Sequence, residues 1–407
     1  MWRVVVPLRR ALIRQKAGKS RLHAEPYQVY WISPRIIKNA IYRQIDGVLN
    51  TEIVAGLTKS GNWDKQTTLV QDLAIIRGAK ERFTDGKDWE DTDYYRIHLE
   101  EITKGQKWRG CESKSDLEEY FHRFDQLYER IKSDGYKPQC ELEDPEFAGT
   151  SPAENEIAVH IDRDGRYIFC NGAHRLGIAL ALGIEKIPVK VCIRHASWQA
   201  FCGEILDHAR DNGGKVYQPI THPDLRGVPS AHDESRFDII YGHLPEDKGT
   251  LLDIGSNWGY FCHRFEELGF DCYAVESDLE NRHFLEKLKT AGERKFKVVP
   301  QSILDYRDKL NFDVVLALNI FHHFLKREED HRALVDFLKR MDMSMMIFEP
   351  HDPSEPQMVG AYRNYEPDEF VQFVMKHSGL NHSKKIGECE DGRLIYKLWK
   401  SELHVEP

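Results

Sequence analysis

No apolar run in the 407-residue sequence approaches the roughly 20 residues that a membrane-spanning helix needs. No segment repeats at a fixed period, and there is no low-complexity tract. With 41% hydrophobic and 30% charged residues the composition is that of an ordinary globular protein, which sets aside disorder, collagen and coiled coil. The 8 cysteines contain no CxxC pair, so a zinc ribbon is not indicated and no metal ligand set is expected. They lie in apolar context, as in the YFCHRF segment around Cys262, and read as buried free thiols of a reducing cytoplasm. Basic excess is missing too: 57 lysines and arginines face 66 acids, for a net charge of −9. That balance argues against nucleic acid as a partner, although a local basic patch stays open.

One short stretch lacks the opposite sign. From Met1 to Arg21 there is no acid, while Arg3, Arg9, Arg10, Arg14, Lys16, Lys19 and Arg21 are basic. Trp2, Val5, Leu8 and Leu12 fall near helical spacing. Three readings stand: a helix docking on the protein's own acidic surface, a peripheral membrane helix attracted to anionic lipid, or a targeting peptide. Arg9 and Arg10 interrupt the apolar run too early for a secretory signal.

At about 150 residues per domain, two or three domains are expected. Residues 226–248 mix turn formers and charge before an apolar strand and read as a linker. The organisation expected is a basic segment at 1–24, a first domain at 25–225, the linker, and a second domain at 249–402. In the first domain Leu117, Tyr120, Phe121, Phe124, Leu127 and Ile131 recur at three and four, predicting a helix that Gly135 stops. Residues 156–194 read strand, turn, strand, helix, strand.

In the second domain an apolar strand (251–254) runs into Gly255, Ser256, Asn257, Trp258 and Gly259, then a helix, then a strand ending at Glu276. Glycines at a strand-to-helix turn let backbone approach a ligand, and an acid about twenty residues on can accept hydrogen bonds from ribose hydroxyls. This βαβ unit, with Asp253 before the turn, resembles the class I S-adenosylmethionine-dependent methyltransferases over about residues 235–400. A nicotinamide enzyme would favour a tighter GxGxxG than this turn, which carries Asn257 in the middle.

The resemblance implies a Rossmann-like α/β fold with a seven-stranded sheet and S-adenosyl-L-methionine as cofactor. Its methionine part would lie at Asp253, Gly255, Ser256, Asn257 and Gly259, its ribose at Glu276, and its adenine at Gln301, Ser302 and Ile303. Asn319, in FDVVLALNIFHHF, would lie beside the cofactor, with His322 and His323 toward the substrate. Methyl transfer needs alignment and, for some acceptors, removal of a proton, so either histidine is a candidate catalytic base. The plain alternative is that one packs and the other caps a helix. Arg363 and Tyr365, after the predicted fifth strand, are candidates to hold an anionic substrate.

In the first domain Asn171 and Gly172 open a helix whose first turn carries His174 and Arg175, and the IPVKVCI strand follows. Free backbone N–H groups and the helix dipole there favour an anion. The pattern resembles the ParB/sulfiredoxin superfamily over about residues 155–200, which implies an α+β nucleotide- or phosphate-binding domain using Asn171, Gly172, His174 and Arg175. Sulfinic-acid repair is not expected, because Ala173 stands where that chemistry needs a cysteine. The superfamily includes a free serine kinase, so ATP or ADP with Mg2+ is a candidate ligand and Glu156 a candidate catalytic base. Asp162 and Asp164 fit better as the RDGR turn. Trp63 with Asp64, the Asp88–Tyr94 stretch, and Arg194 with His195 and Trp198 are polar–aromatic clusters suited to sugar or nucleotide binding or to plain packing.

Three functions are therefore expected. The first is a bifunctional enzyme that phosphorylates and then methylates a small molecule, such as a glycan or lipid-linked sugar. The second is a methyltransferase whose front domain only recognises a phosphorylated substrate. The third is a nucleotide-dependent switch or DNA-binding protein.

Overall fold

The computed structural model describes residues 28–41, 55–142, 155–389 and 391–400. The basic segment at 1–21 lies outside the described residues. The chain divides into two compact units, 1–204 and 205–407.

The first unit is built on a seven-stranded mixed sheet. Its strands are β1 (Val29–Ile32), β2 (Asn39–Ala40), β3 (Leu57–Lys59), β4 (Thr68–Leu69), β5 (Ile157–Ile161), β6 (Tyr167–Asn171) and β7 (Ile187–His195), in the order β1-β7-β5-β6-β2-β4, with β3 also on β7. β5 to β7 match the predicted strands; β1 to β4 carry too few residues for any period to show. The helices are α1 (Ala74–Phe83), α2 (Asp93–Thr103), α3 (Lys114–Asp134), α4 (Ala173–Ala181) and α5 (Ala196–Asp211), and the division between units falls inside α5. The predicted amphipathic helix is α3. Ser113 and Asp116 cap it reciprocally, and Gly135, at φ +78°, ends it.

The second unit begins with α6 (Ser235–Tyr241) and continues β8 (Thr250–Ile254), α7 (Tyr260–Glu267), β9 (Asp271–Val275), α8 (Leu279–Ala291), β10 (Lys297–Val299), β11 (Asn311–Leu318), α9 (Glu328–Arg340), β12 (Asp342–Glu349), α10 (Pro367–Ser378), β13 (His382–Glu388) and β14 (Leu394–Trp399). Its sheet runs β10-β9-β8-β11-β12-β14-β13; the first five strands are parallel, and β14 pairs antiparallel with both its neighbours. A parallel sheet must be covered on both faces, and two separate apolar clusters do so. Strand order reverses between β8 and β11, so the crevice beyond their carboxyl ends is where such a sheet binds a ligand. Residues 226–248, read from sequence as linker, hold α6, whose Phe237 and Ile240 are buried in one of these clusters.

Seven of the eight cysteines are buried and free as expected; Cys140 is exposed. Among the described residues no helix is long and apolar enough to cross a membrane.

Candidate functional site

The ends of β8, β9 and β11 assemble the crevice. Gly255 follows β8 at φ +72°, and a Cβ there would come 2.6 Å from Ile320 Cδ1, so both the turn and its packing demand glycine. The Gly255 and Ser256 N–H groups both donate to Val275 O at 2.9 Å, which folds the turn back over β9. Gly259 caps α7 in the left-handed conformation. Asn257 and Asn319 also have positive φ, both +52°. Asparagine tolerates that region best after glycine, and strained backbone of this kind gathers at ligand sites.

Glu276, at the tip of β9, accepts from the Asn257 N–H at 2.9 Å and the Asp278 N–H at 2.8 Å. Each carboxylate oxygen keeps a second lone pair for a ligand hydroxyl. Burial raises its pKa, and those backbone bonds oppose the rise. Asp253 is buried at the end of β8, and desolvation pushes its carboxyl up to about 7, with Arg236 opposing and Glu276 adding. Ser256 Oγ and Asn319 Oδ1 are buried without a hydrogen-bond partner. Orphaned buried groups cost about 1–3 kcal/mol each, so two of them beside one crevice mark a place for polar ligand atoms. At the end of β10, Ile303 is buried, Ser302 half-buried and Gln301 exposed. The cofactor residues expected from the sequence thus lie on or just beyond the ends of β8 to β11, and their chemistry fits a ribose- and amino-acid-bearing group.

Beyond β11, His322 is buried and His323 exposed, with ring centroids 4.0 Å apart. Burial, then the neighbouring His323, His351 and Lys326, push the His322 pKa down to about 3. Arg363 is exposed and stacks on Tyr362 at 4.7 Å; its N–H donates to Leu325 O at 3.0 Å, which ties this segment to the histidine turn. Tyr365 hydroxyl pairs with His331 Nε2 at 3.0 Å.

Three residues of this region were not singled out from the sequence. Arg236, on α6, donates to Glu349 Oε2 at 2.7 Å, with both side chains almost wholly buried. Arg393, from the β13–β14 turn, stands 3.6 Å from Glu349 Oε1. His351 follows Glu349 by two residues and is buried. Its place beside a strand tip was a usable signal; Arg236, inside an apparent linker, gave none.

In the first unit, Gly172 caps α4 at φ +95°, where a Cβ would stand 3.1 Å from Ile157 Cα. Asn171 Oδ1 accepts from the Gly172 N–H at 2.8 Å. His174 does not project as an anion ligand: its Nε2 hydrogen-bonds Tyr120 and its ring packs 4.6 Å from Phe124. Burial, with Arg109 and Arg175 nearby, holds that imidazole neutral, its pKa down to about 3. Arg175 folds back to Asn155 O and stands 3.8 Å from Glu156 Oε2. Glu156 accepts from the Gln139 N–H at 2.5 Å, its pKa raised by burial. Asp162 closes the RDGR turn through the Asp164 and Arg166 N–H groups.

Trp63, Asp64 and His195 do converge. The Trp63 and His195 rings are 5.8 Å apart, and His195 Nε2 meets Gly61 O at 2.9 Å. Asp64 is taken up by Arg163, at 2.6 and 2.7 Å; burial alone would raise its pKa, and the Arg163 bonds more than reverse that. Arg194 is buried and donates to Tyr30 hydroxyl at 3.0 Å. Trp89 stands apart, packed on Phe121 and Phe124 with its N–H on Asp125, as helical core. Among the described residues no group of three or more His, Cys, Asp or Glu is arranged to hold a metal.

Residues 252–341, within the second unit, match the methyltransferase domain family model. No curated protein matches the chain. Among solved structures it is similar to WbdD, described as a bifunctional kinase-methyltransferase, at 19% identity and TM-score 0.40 over 48% of this chain and 46% of that one. It is also similar to a SAM-dependent methyltransferase from Archaeoglobus fulgidus (16% identity, TM-score 0.32, 40% of this chain and 90% of that). A third is a S-adenosylmethionine-dependent methyltransferase from Clostridium acetobutylicum (14%, TM-score 0.34, 40% and 89%). The chain spans about half the length of the WbdD chains it matches.

Proposed function

We propose that the protein transfers a methyl group from S-adenosyl-L-methionine. The observation that carries this is the pair of orphaned buried atoms, Ser256 Oγ and Asn319 Oδ1, beside the point where strand order reverses. The turn at Asp253–Gly259 would hold the amino-acid part, Glu276 the ribose hydroxyls, and Gln301–Ile303 the adenine edge. The cofactor supplies an electrophilic methyl carbon on a sulfonium. The chain's own part is to hold that carbon still, keep water out and present the acceptor from the side of His322 and His323. Calorimetric titration of the full chain with S-adenosylmethionine tests the reading. Binding that weakens at least ~10-fold in Glu276→Ala supports it, and a folded protein with no binding overturns it.

For the first unit we propose a nucleotide- or phosphate-recognising domain of ParB/sulfiredoxin type. What supports it is the left-handed Gly172 at the start of α4, with Arg175 beside it. Since His174 is neutral and turned into the α3 aromatics, the cationic part would fall to Arg175 on leaving Glu156. The finer form makes this unit a kinase, phosphorylating a glycan or lipid-linked sugar that the second unit then methylates. One chain would hold the intermediate at high effective concentration. Titration with ATP and ADP, with and without Mg2+, decides. Binding lost in Arg175→Ala supports a nucleotide site, and binding of inorganic phosphate alone leaves a recognition domain.

A further inference from the structure

A run of hydrogen bonds beyond β12 sets the protonation of a histidine that no motif pointed to. Asn364 Nδ2 donates to Pro353 O at 2.9 Å. A carbonyl only accepts, so this bond orients the amide and leaves Asn364 Oδ1 facing His351 Nε2, 2.8 Å away. That oxygen only accepts, so Nε2 carries a proton, and in the neutral ring Nδ1 is left with the lone pair. His351 Nδ1 is buried and has no partner. His322 is buried as well, with the Gln357 amide against its ring and its ring centroid 5.6 Å from that of His351. The rings are tilted 41° to one another and no hydrogen bond joins them as they stand, so one ring must turn for an N–H···N bond to form.

We infer that His351, held in one tautomer by Asn364, is a positioning residue that orients His322 to take the proton of a hydroxyl acceptor. With His351 Nδ1 as acceptor, the N–H of His322 turns toward it and the other His322 nitrogen presents its lone pair to the crevice. In the reaction the acceptor oxygen forms a bond to the methyl carbon while the carbon–sulfur bond breaks. Sulfur keeps that electron pair, and the hydroxyl proton passes to His322. Positive charge thus leaves the sulfonium as it arises on an imidazole that His351 can stabilise.

The acceptor class follows from the need for a base. A phosphate or carboxylate oxygen is already nucleophilic as an anion and leaves two imidazoles with nothing to do. An ammonium acceptor is disfavoured because the groups facing His322 are His323, His351, Lys326 and the neutral amide of Gln357, with Glu355 lying toward His323 and Asp352 toward His351. A sugar or phenol hydroxyl meets all these conditions.

The inference rests on the methyltransferase reading, and two readouts on the full chain separate their failures. Nitrogen-15 spectra of the histidine side chains report tautomers without any substrate. The expected result is His351 protonated on Nε2 only, a state lost in Asn364→Leu, with His322 neutral down to about pH 5. His351 protonated on Nδ1 overturns the inference, whether or not the cofactor binds. The second readout is methyl transfer from labelled S-adenosylmethionine to a panel of glycosides, phenols and sugar phosphates. Turnover should fall ~100-fold in His322→Gln and ~10-fold in His351→Ala, with cofactor affinity unchanged and a methyl ether as product. A methyl phosphate ester as product overturns the inference while leaving the methyltransferase standing. With no acceptor turned over, the tautomer spectrum alone decides.

Discussion

Gly255 and Asp253 are residues of the crevice at which a substitution reads on the stability of the fold as well as on the site. Adding a Cβ at Gly255 strains a φ of +72° and drives it into Ile320. Gly255→Ala should therefore cost about 1–3 kcal/mol of stability and abolish cofactor binding, read together by denaturant melts and calorimetry. Asp253 sets a pH dependence. Its folded pKa, pushed up to about 7, exceeds its unfolded value, so the folded state binds the proton more tightly. That contribution is complete below about pH 4 and is lost as pH rises through 7. The urea midpoint should fall between about pH 5 and about pH 8, and Asp253→Asn should flatten the fall. An unchanged slope in that variant would place the titration elsewhere.

At the scale of elements, the Arg236–Glu349 pair joins α6 to the end of β12, and Arg393 brings in the β13–β14 turn. Breaking a buried pair by removing one partner costs about 3–5 kcal/mol, because a charge is left without solvent or counter-ion. Glu349→Leu strands the buried Arg236 guanidinium, while Arg393 keeps Glu355 at 3.3 Å and Asp391 at 3.6 Å, and the loss should lie within that range. Arg236→Met leaves Glu349 with Arg393 and should cost less, and the double variant should recover much of the loss. Equal costs for the two single variants would mean that Arg393 does not share the load. Why 226–248 looked like a linker is clear from this pair: α6 is two turns long, too short for its period to register, and its anchor is an ion pair 113 residues away in sequence.

For the whole molecule, two units with separate sheets and cores predict two thermal transitions. S-adenosylmethionine at about 100 times its dissociation constant should stabilise one of them by about 2.7 kcal/mol and leave the other in place. A single transition that moves as a whole would show that the units unfold together. Only the second unit's transition should follow Glu276→Ala.

What the sequence determined by itself was local. The strand, glycine turn, helix and acid-tipped strand from 250 to 276 lie within one βαβ unit, and each residue there answers to its near neighbours. The capped helix α3 was legible for the same reason. The tertiary structure alone decided what long-range pairing does to polar side chains. Asp64 looked free to hold a substrate until Arg163 closed on it from 99 residues away. His174 looked like an anion ligand until Tyr120 and Phe124 turned it inward. The strands β1 to β4, of two to four residues, exist only because other strands offer them edges: β7 for β1 and β3, β6 for β2, and β2 in turn for β4. The convergence of His322, His351 and Asn364 depends on two neighbouring strands ending side by side. Hydrogen bonds between distant residues depend on register, and register is settled by the whole sheet and its core rather than by any window of sequence.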